Sequence, residues 1–340
     1  MSDYAPRYAV TVAIPTLAAD SMYLECIGSL RDQTFREFEV IVVDNSGKGL
    51  VRNSDAAKWG ATVIEMDCNA GFGAAVNAAF RHARAPFFAT LNDDAAASPG
   101  WLAALTNGMQ QSPDIGMCAS QVRLWGEPRL DSAGMLICGD GSSKQRGHGR
   151  PPDAFAARDE ALLPSGSAAL YRRAMLDQIG LFDEDFFLYC EDTDLGLRAR
   201  WAGWRCAYVP EAVVMHRYSH SAGRASPLKA FYVERNRLFL AIKNFPGTML
   251  ATAPFISIAR YFWHAVSLAR GRGHAAEFRR EHSAFYLIFL IVKAHIAAGS
   301  HLRALWRKRR EIRRAARVSP SEYTLLLKRH AISARELAAF

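Results

Sequence analysis

The stretch FEVIVVDNSG at residues 38–47 decides the fold that the sequence predicts. Its first six residues form a nearly continuous apolar run, which is typical of a strand buried on both faces of a parallel sheet. The run ends at Asp44-Asn45-Ser46-Gly47, a group of residues that favours a turn. Because such a strand needs helices on both faces of its sheet, the neighbouring chain is expected to alternate strands with helices.

The residues on either side follow that alternation. Strands are predicted at residues 8–14, 62–66 and 87–91, and helices at residues 23–33 and 74–82. The first third of the chain is therefore predicted to be a parallel, doubly wound α/β sheet, in which ligands bind outside the carboxyl ends of the strands. The polar residues at those ends are Thr16, Asp44 to Ser46, Asn69 and Asn92 to Asp94.

The middle of the chain is less regular. Residues 131–159 are rich in Gly, Ser, Pro and charge, which indicates a mobile loop or lid. A strand followed by a helix is predicted over residues 168–179, and a further helix over residues 195–202. Two short strands are predicted at residues 206–209 and 212–216, separated by a proline.

Two acidic clusters carry the candidate chemistry. Asn92-Asp93-Asp94 follows a buried strand, where carboxylates suit Mg²⁺ or Mn²⁺, although such a cluster can also cap a helix. Glu191-Asp192-Thr193-Asp194 opens a predicted helix, where acids interact favourably with the helix dipole. Three acids within four residues also repel one another, and this raises the pKa of a carboxylate and makes it a better general base.

A third candidate is His216, which ends the strand-like run VVMH. A lone histidine in that position is more often a packed or hydrogen-bonded residue than a metal ligand. His220, four residues further on, is a rival for the same role.

The positive charge is concentrated near the C-terminus. The net charge is +9, and residues 303–317 hold eight basic residues against one acid. Two apolar runs precede this tract, at residues 250–269 and 284–298. The pattern predicts amphipathic helices that dock on an anionic membrane surface through residues 250–317, in preference to nucleic acid, for which no recognition motif is present. Packing of these helices on the domain or on another subunit is the alternative.

The compartment is predicted from the cysteines and the N-terminus. The six cysteines show no CxxC spacing, and the polar first residues do not resemble a signal peptide. We therefore expect a reducing cytoplasm, with the chain peripheral on the inner face of the cytoplasmic membrane.

The clusters, in this order, resemble those of glycosyltransferase family 2, the inverting GT-A type, and within it the bacterial rhamnosyltransferase-like branch. The resemblance covers residues 10–245 and rests on VAIPT, QTFREFEVIVVDNSG, NAGFGAAVNAAF, ATLNDDA, the long stretch from SGSAALYRR to CEDTDLGLRARWAGW, AYVPEAVVMH and YVERNRL. It implies a GT-A nucleotide-diphospho-sugar transferase fold with a mostly parallel central sheet. The catalytic domain would span residues 1–245, with a nucleotide-binding part at about 8–125 and an acceptor-side part at about 126–245; the helical, basic region would span residues 246–340.

The resemblance also implies roles for individual residues. It makes Asp192 the catalytic base with Glu191 beside it, and Asp94 and His216 the ligands of Mg²⁺ or Mn²⁺. Asn92 replaces the first acid of the DxD motif of the family. The residues that it places around the donor are Thr16, Asp44, Asn69, Gly71, Asn77, Asn92, Asp93, Ser165 and Gly166.

The RNR motif at Arg235 and Arg237 has no such assignment, and a structural ion pair or a phosphate contact would both fit it.

The implied reaction is a metal-dependent sugar transfer with inversion, from dTDP-rhamnose to a hydroxyl group of a cell-surface glycan or lipid-linked acceptor. A UDP-sugar donor is the alternative within the same fold. Less favoured alternatives are a non-catalytic nucleotide-sugar binder and a nucleic-acid-binding protein. A nucleotide-dependent oxidoreductase is disfavoured because IPTLAAD follows the first strand in place of a Gly-x-Gly-x-x-Gly motif.

Overall fold

The computed structural model describes residues 8–217, 226–271, 278–279 and 281–339. His220 lies outside these residues. The described chain divides into two compact units. The first unit comprises residues 8–134, 145–199 and 204–217, and the second comprises residues 135–144 and 200–203 with the described residues from 226 onward.

Twelve strands and twelve helices are described. The strands are β1 Val10–Thr16, β2 Phe38–Asp44, β3 Thr62–Glu65, β4 Phe87–Leu91, β5 Ala95–Ala97, β6 Ile115–Leu124, β7 Leu130–Ser132, β8 Met135–Ile137, β9 Ser143–Gln145, β10 Asp159–Ala161, β11 Ala168–Arg172 and β12 Arg205–His216. The helices are α1 Met22–Arg31, α2 Asp55–Lys58, α3 Phe72–His82, α4 Trp101–Gln110, α5 Arg173–Ile179, α6 Glu191–Trp201, α7 Pro227–Asn244, α8 Gly247–Ala269, α9 Ala284–Ser300, α10 Leu302–Arg314, α11 Pro320–Arg329 and α12 Ala334–Ala339. Short 3₁₀ helices span Pro152–Phe155 and Glu184–Phe186.

The first unit is built on one mixed sheet. Its strand order is β10-β12-β6-β11-β4-β1-β2-β3, with β5 paired to β12 and β7 paired to β6. The four strands β1 to β4 are parallel, as the sequence predicts. Strand β11 is antiparallel to both β4 and β6, so its first residues lie at the edge of the sheet where β4 ends. The sheet therefore collects polar residues from strands of both directions along one edge.

Two predictions for the middle of the chain are wrong. The two short strands predicted on either side of Pro210 form one strand, β12, whose register with β6 shifts between Val209 and Val213. Proline cannot donate a ladder hydrogen bond, which explains an irregularity at that point. Residues 131–159 are not a simple loop, because they contain most of β7 and all of β8 and β9, together with a 3₁₀ helix.

The second unit contains a buried network of charges. Arg260 donates to Asp140 (Nε to Oδ2, 2.6 Å) and to Glu234 (Nη2 to Oε2, 2.8 Å). Arg237 donates to Glu234 and, at 3.0 Å, to the Ser257 hydroxyl. All four charged side chains are buried, so each charge is matched by its neighbours rather than by water. Arg237 of the RNR motif is thus engaged in a structural ion pair.

Part of the basic tract is also used inside the second unit. Arg309 donates to the Ile242 carbonyl oxygen, and Arg313 donates to the carbonyl oxygens of Asn244 and Phe245. The guanidinium of Arg313 also lies 3.5 Å from the centre of the Trp201 ring. The basic residues of the tract that are exposed are Arg303, Arg307, Arg310, Arg314 and Arg317.

Large apolar side chains are exposed on two helices of the second unit. On α9, Tyr286 is exposed, and so are five side chains at helical spacing: Phe285, which is 85% exposed, Ile288, Phe289, Val292 and Ile296. Their spacing places all five on one face of the helix. On α8, Phe255, Ile258 and Phe262 form a similar exposed face. No single described helix has the length and apolar composition to cross a bilayer; α9 and α10 meet that test only as a pair, bent by 62° at their junction.

Candidate active site

The ends of β1 and β4 bring two predicted donor-site residues into contact. These strands are parallel neighbours, and Thr16 and Asp93 follow their last paired residues. The Thr16 hydroxyl donates to Asp93 Oδ2 at 2.7 Å. Burial raises the pKa of Asp93 to about 6, although this hydrogen bond acts in the opposite direction.

The register of β5 on β12 places Asp94 beside His216. His216 pairs with Ala95, the residue after Asp94, in an antiparallel ladder. His216 Nε2 is consequently 3.2 Å from Asp94 Oδ1, and the Asn92 side-chain nitrogen lies 3.4 Å from the same ring atom. The two predicted metal ligands thus meet, and Asn92 borders them.

Asp131 is a member of this cluster that the sequence reasoning missed. Its Oδ2 lies 2.7 Å from His216 Nδ1, and its Oδ1 lies 3.2 Å from His148 Nδ1. Burial alone would lower the pKa of His216, but the hydrogen bond with Asp131 and the nearby charges of Asp131 and Asp94 outweigh it and raise the pKa to about 10. The only sequence signal was an acid at the start of an irregular segment, and this does not distinguish Asp131 from its neighbours.

The chemistry of this cluster fits a divalent cation. Asp94 is buried, and its Oδ1 forms no hydrogen bond despite the nearby imidazole. A carboxylate oxygen and an imidazole nitrogen 3.2 Å apart can both contact one ion at about 2.1 Å. Within the described ranges, no group of three or more His, Cys, Asp and Glu side chains is arranged to hold a metal. Asp94 and His216 are thus a pair of candidate ligands, and Mg²⁺ typically completes its shell with water and substrate phosphates.

The acidic cluster at the start of α6 holds Asp192 against the backbone of Gly166. The Gly166 N–H donates to Asp192 Oδ2 at 2.8 Å, and the Thr193 N–H donates to Oδ1 at 2.6 Å. A Cβ atom at residue 166 would lie 3.1 Å from the Asp192 Cβ, so glycine permits this approach. Burial raises the pKa of Asp192, although these hydrogen bonds oppose the change. Its side chain remains partly exposed.

Glu191 differs from Asp192 in its access to solvent. Its side chain is buried, and Oε2 has no hydrogen-bond partner. Burial, and then the charge of Asp192, raise the pKa of Glu191 well above its usual value. Of the two predicted catalytic acids, Asp192 is the one that a substrate can reach.

The remaining predicted residues of this edge lie next to β4. The Asn92 N–H donates to the Ser167 carbonyl oxygen at 2.8 Å, and the Thr90 hydroxyl donates to the Gly166 carbonyl oxygen at 3.0 Å. The Ser165 and Ser167 hydroxyl oxygens are 2.9 Å apart. Residues 165–167, which include the contact to Asp192, are thereby fixed to β4 and to Asn92, which follows it.

The chain that leads into α6 has an unusual backbone. Phe187, Tyr189 and Cys190 have φ values of 63°, 67° and 69°, which non-glycine residues adopt rarely. The Phe187 carbonyl oxygen accepts a hydrogen bond from Phe72 N–H at 2.9 Å. A Cβ at residue 71 would lie 2.1 Å from that oxygen, and φ of Gly71 is 90°, so this contact requires glycine.

Two predicted donor-site residues have side chains that bind other groups of the protein. Asp44 is buried and accepts hydrogen bonds from Ser46 and, at 2.9 Å, from Val51 N–H. Asn77 donates to the Phe182 carbonyl oxygen and to Glu184 Oε1, each at 2.9 Å, and accepts from Phe182 N–H at 3.0 Å. The predicted contacts of Asp44 and Asn77 with the donor remain predictions.

Asn69 is held by a residue that the sequence reasoning treated only as part of a turn. Asn45 donates to Asn69 Oδ1 at 3.2 Å, and its own Oδ1 accepts from Ala70 N–H at 3.0 Å. Asn69 Oδ1 also accepts from Gly71 N–H at 3.0 Å. Asn45 therefore fastens the loop that carries Asn69 and Gly71 to the end of β2.

Comparison with protein families gives one match that covers most of the chain. The model described as "Glycosyltransferase like family 2" matches residues 6–238. The N-acetylglucosaminyl-diphospho-decaprenol L-rhamnosyltransferase of Mycobacterium tuberculosis is 31% identical over 271 residues, covering 72% of this chain and 86% of that protein.

Solved structures show the same fold at lower identity. A mannosyltransferase from Pyrobaculum calidifontis, in complex with GDP-Man and Mn²⁺, is 19% identical with a TM-score of 0.53, covering 92% of this chain and 88% of its own. Residues 1–349 of TarS from S. aureus, in complex with UDP-GlcNAc, are 16% identical with a TM-score of 0.53, covering 94% and 90%. Both likenesses show the GT-A fold.

We predict that Asn77→Ala weakens the protein and slows turnover without changing donor affinity. The variant leaves Phe182 N–H and its carbonyl oxygen without their partner, and the expected loss is ~1–3 kcal/mol of unfolding free energy. Denaturant unfolding and donor titration measure the two effects. Asn107→Ala, an exposed asparagine on α4, is the matched control. Unchanged stability with reduced donor affinity would instead place Asn77 in the donor pocket.

Proposed function

The chain belongs to glycosyltransferase family 2, and from that premise we propose that it transfers L-rhamnose from dTDP-rhamnose to a hydroxyl group of a lipid-linked glycan, with inversion at the anomeric carbon. The observation that carries the reaction is Asp192, a partly exposed carboxylate held by Gly166 and Thr193 at the start of α6. That the chain is a glycosyltransferase follows from its family; the sugar and the acceptor are the proposed part.

In this proposal Asp192 is the general base. An acceptor hydroxyl is a weak nucleophile until a base takes its proton. Burial raises the pKa of Asp192, which increases its driving force as a proton acceptor. The hydrogen bonds from Gly166 and Thr193 keep the carboxylate in one orientation. Glu191, the preceding residue, is buried, and the resemblance places it beside the base.

Asp94 and His216 are proposed to hold Mg²⁺ or Mn²⁺. When bound, the cation supplies positive charge that stabilises the departing nucleoside diphosphate. Asn92 and Asp93 border this position, and Asp93 is oriented by Thr16. The remaining donor contacts are assigned to Asp44, Asn69, Gly71, Ser165 and Gly166 as the family resemblance implies. Asn77, to which the resemblance also gives such a contact, is proposed instead to act through its hydrogen bonds to Phe182.

The donor and acceptor are proposed from the curated relative. Its name states an L-rhamnosyl transfer to N-acetylglucosaminyl-diphospho-decaprenol, and 86% of its length is matched by this chain. An acceptor of the same chemical class is a sugar on a polyprenyl diphosphate, which resides in a membrane. A UDP-sugar donor remains the second candidate, since the solved neighbour TarS is described with UDP-GlcNAc.

The second unit is proposed to bring the enzyme to that membrane from the cytoplasmic side. Its exposed apolar faces lie on α8 and α9, and the exposed arginines lie on and just after α10. Exposed phenylalanines together with a basic face are typical of helices that lie in the headgroup region of an anionic bilayer. We retain the division into a catalytic domain at residues 1–245 and a membrane-associating region at residues 246–340 as part of the proposal.

Asp192→Asn is expected to abolish transfer while leaving donor binding intact. Removing a general base typically costs about 10²–10⁴ in rate, and the amide still accepts the Gly166 hydrogen bond through its oxygen. Single-turnover transfer and donor titration measure the two quantities. Asp177→Asn, an exposed acid on α5, should retain full activity. Wild-type turnover by the Asp192 variant would contradict the assignment of the base.

A panel of nucleotide sugars with Mn²⁺ should single out the donor by thermal shift. A ligand at a hundredfold excess over its Kd stabilises the folded protein by about 2.7 kcal/mol. We expect a metal-dependent rise in Tm with dTDP-rhamnose and none when EDTA is present. A shift with UDP-GlcNAc or UDP-galactose would replace the donor and keep the mechanism. No shift with any nucleotide sugar would contradict the proposed substrate class.

Membrane docking is tested with vesicles. The full chain should bind vesicles that contain phosphatidylglycerol more tightly than it binds vesicles of pure phosphatidylcholine. Phe285→Ser with Phe289→Ser should reduce binding at least ~10-fold, because burial of one such side chain contributes about 1.5–3 kcal/mol. Leu325→Ser, which alters an apolar side chain that is 53% exposed on α11, is the control. Equal binding to both vesicle types would contradict the role of the arginines.

A further inference from the structure

We propose that Asp131 is a positioning residue for His216: its carboxylate fixes the imidazole ring so that Nε2 faces Asp94, and in this way it sets the affinity of the site for a divalent cation. The inference rests on the proposed role of Asp94 and His216 as metal ligands. It assigns a function to a residue that lies 85 positions from His216 in the sequence.

The geometry places Asp131 between two histidines. Oδ2 is 2.7 Å from His216 Nδ1, and Oδ1 is 3.2 Å from His148 Nδ1. The Asp131 side chain is only 2% exposed. Both carboxylate oxygens of Asp131 therefore contact histidine side chains, and Oδ2, which faces His216, makes the shorter contact.

The backbone around Asp131 is held on both sides. Strand β7, which contains Asp131, is antiparallel to β6, and β6 is parallel to β12, which ends at His216. The other side of β7 bonds the turn that carries His148: Leu130 N–H donates to the Arg150 carbonyl oxygen, and Gly149 N–H donates to that of Leu130, each at 2.8 Å. Asp131 thus has little freedom to move relative to His216.

The chemistry of imidazole explains what this contact would do. A neutral histidine carries one N–H, and the nitrogen without a hydrogen is the one that can bind a metal. A carboxylate that accepts the hydrogen on Nδ1 leaves Nε2, which faces Asp94, as the nitrogen that binds a cation when the cation displaces its proton, and it also makes the ring a stronger ligand. Without Asp131, His216 would lose both the preferred tautomer and its fixed orientation.

The experiment measures Mn²⁺ affinity directly. Free Mn²⁺ is determined by electron paramagnetic resonance during titration of the full chain, with saturating dTDP and, separately, with UDP. Asp131→Asn, which keeps the shape and removes the charge, is expected to weaken Mn²⁺ binding about 10- to 100-fold. The matched control is Asp153→Asn, which makes the same change at an exposed position of the neighbouring segment and should bind Mn²⁺ as the wild type does.

A second measurement distinguishes a loss of His216 positioning from a folding defect of the variant. If Asp131 acts through the cation, a large excess of Mn²⁺ should restore the donor KM and the transfer rate of Asp131→Asn, whereas a folding defect would persist. His148→Gln provides a milder variant should Asp131→Asn fail to fold, because it removes the contact to the other carboxylate oxygen. It is expected to weaken Mn²⁺ binding several-fold.

The outcomes distinguish this inference from the proposed metal site. His216→Ala should weaken Mn²⁺ binding at least as much as Asp131→Asn. If His216→Ala weakens binding while folded Asp131→Asn and His148→Gln bind as the wild type does, the positioning role is overturned and the metal site stands. If His216→Ala itself has no effect, the proposed metal site fails, and the role of Asp131 fails with it.

Discussion

The candidate site depends on one pairing register, that of the short strand β5 against the end of β12. This antiparallel ladder sets His216 opposite Ala95, so that its ring meets Asp94. A one-residue slip would turn His216 to the other face of the sheet, because side chains alternate along a strand. Antiparallel β11 contributes in the same way, since it begins where β4 ends and brings Gly166 to Asp192. A purely parallel sheet would supply strand ends of only one kind at this edge.

The second constraint is the strained connection that precedes α6. Three non-glycine residues with positive φ, at positions 187, 189 and 190, each cost about 1–3 kcal/mol. The surrounding contacts oppose this cost: Asn77 binds the chain at residues 182–184, and Phe72 N–H binds the Phe187 carbonyl oxygen. As a result, the first turn of α6 places the Asp192 side chain against Gly166, and this side chain faces bulk solvent only in part. The polar residues of α3 and its loop therefore act here by shaping this connection.

The sequence predicts the first half of the sheet well because a strand buried on both faces leaves an unmistakable apolar run. The resemblance to the family, rather than residue type and position alone, points to Asp94, His216 and Asp192, and their roles stay predictions. The sequence does not reveal Asp131, because the contact with His216 joins residues 85 positions apart and Asp131 lies in an irregular segment. The sequence also does not distinguish a residue that contacts the donor from one that holds the protein backbone in place. Asp44 and Asn77 have the residue types of donor contacts, yet their side chains bind backbone groups of the protein.

The arginines of the second unit show why net charge alone is a poor guide to a binding surface. Arg237 and Arg260 are matched by Glu234 and Asp140, and Arg309 and Arg313 bind carbonyl oxygens, so none of these four is available to phosphate. The five exposed arginines of the basic tract remain, and each is worth about 1 kcal/mol near an anionic bilayer. Their combined effect of about 5 kcal/mol corresponds to a Kd between about 1 mM and 1 μM. Tighter docking therefore requires the exposed phenylalanines and isoleucines of α8 and α9. In the proposed membrane contact, these apolar side chains supply most of the affinity, and the arginines supply the preference for anionic lipid.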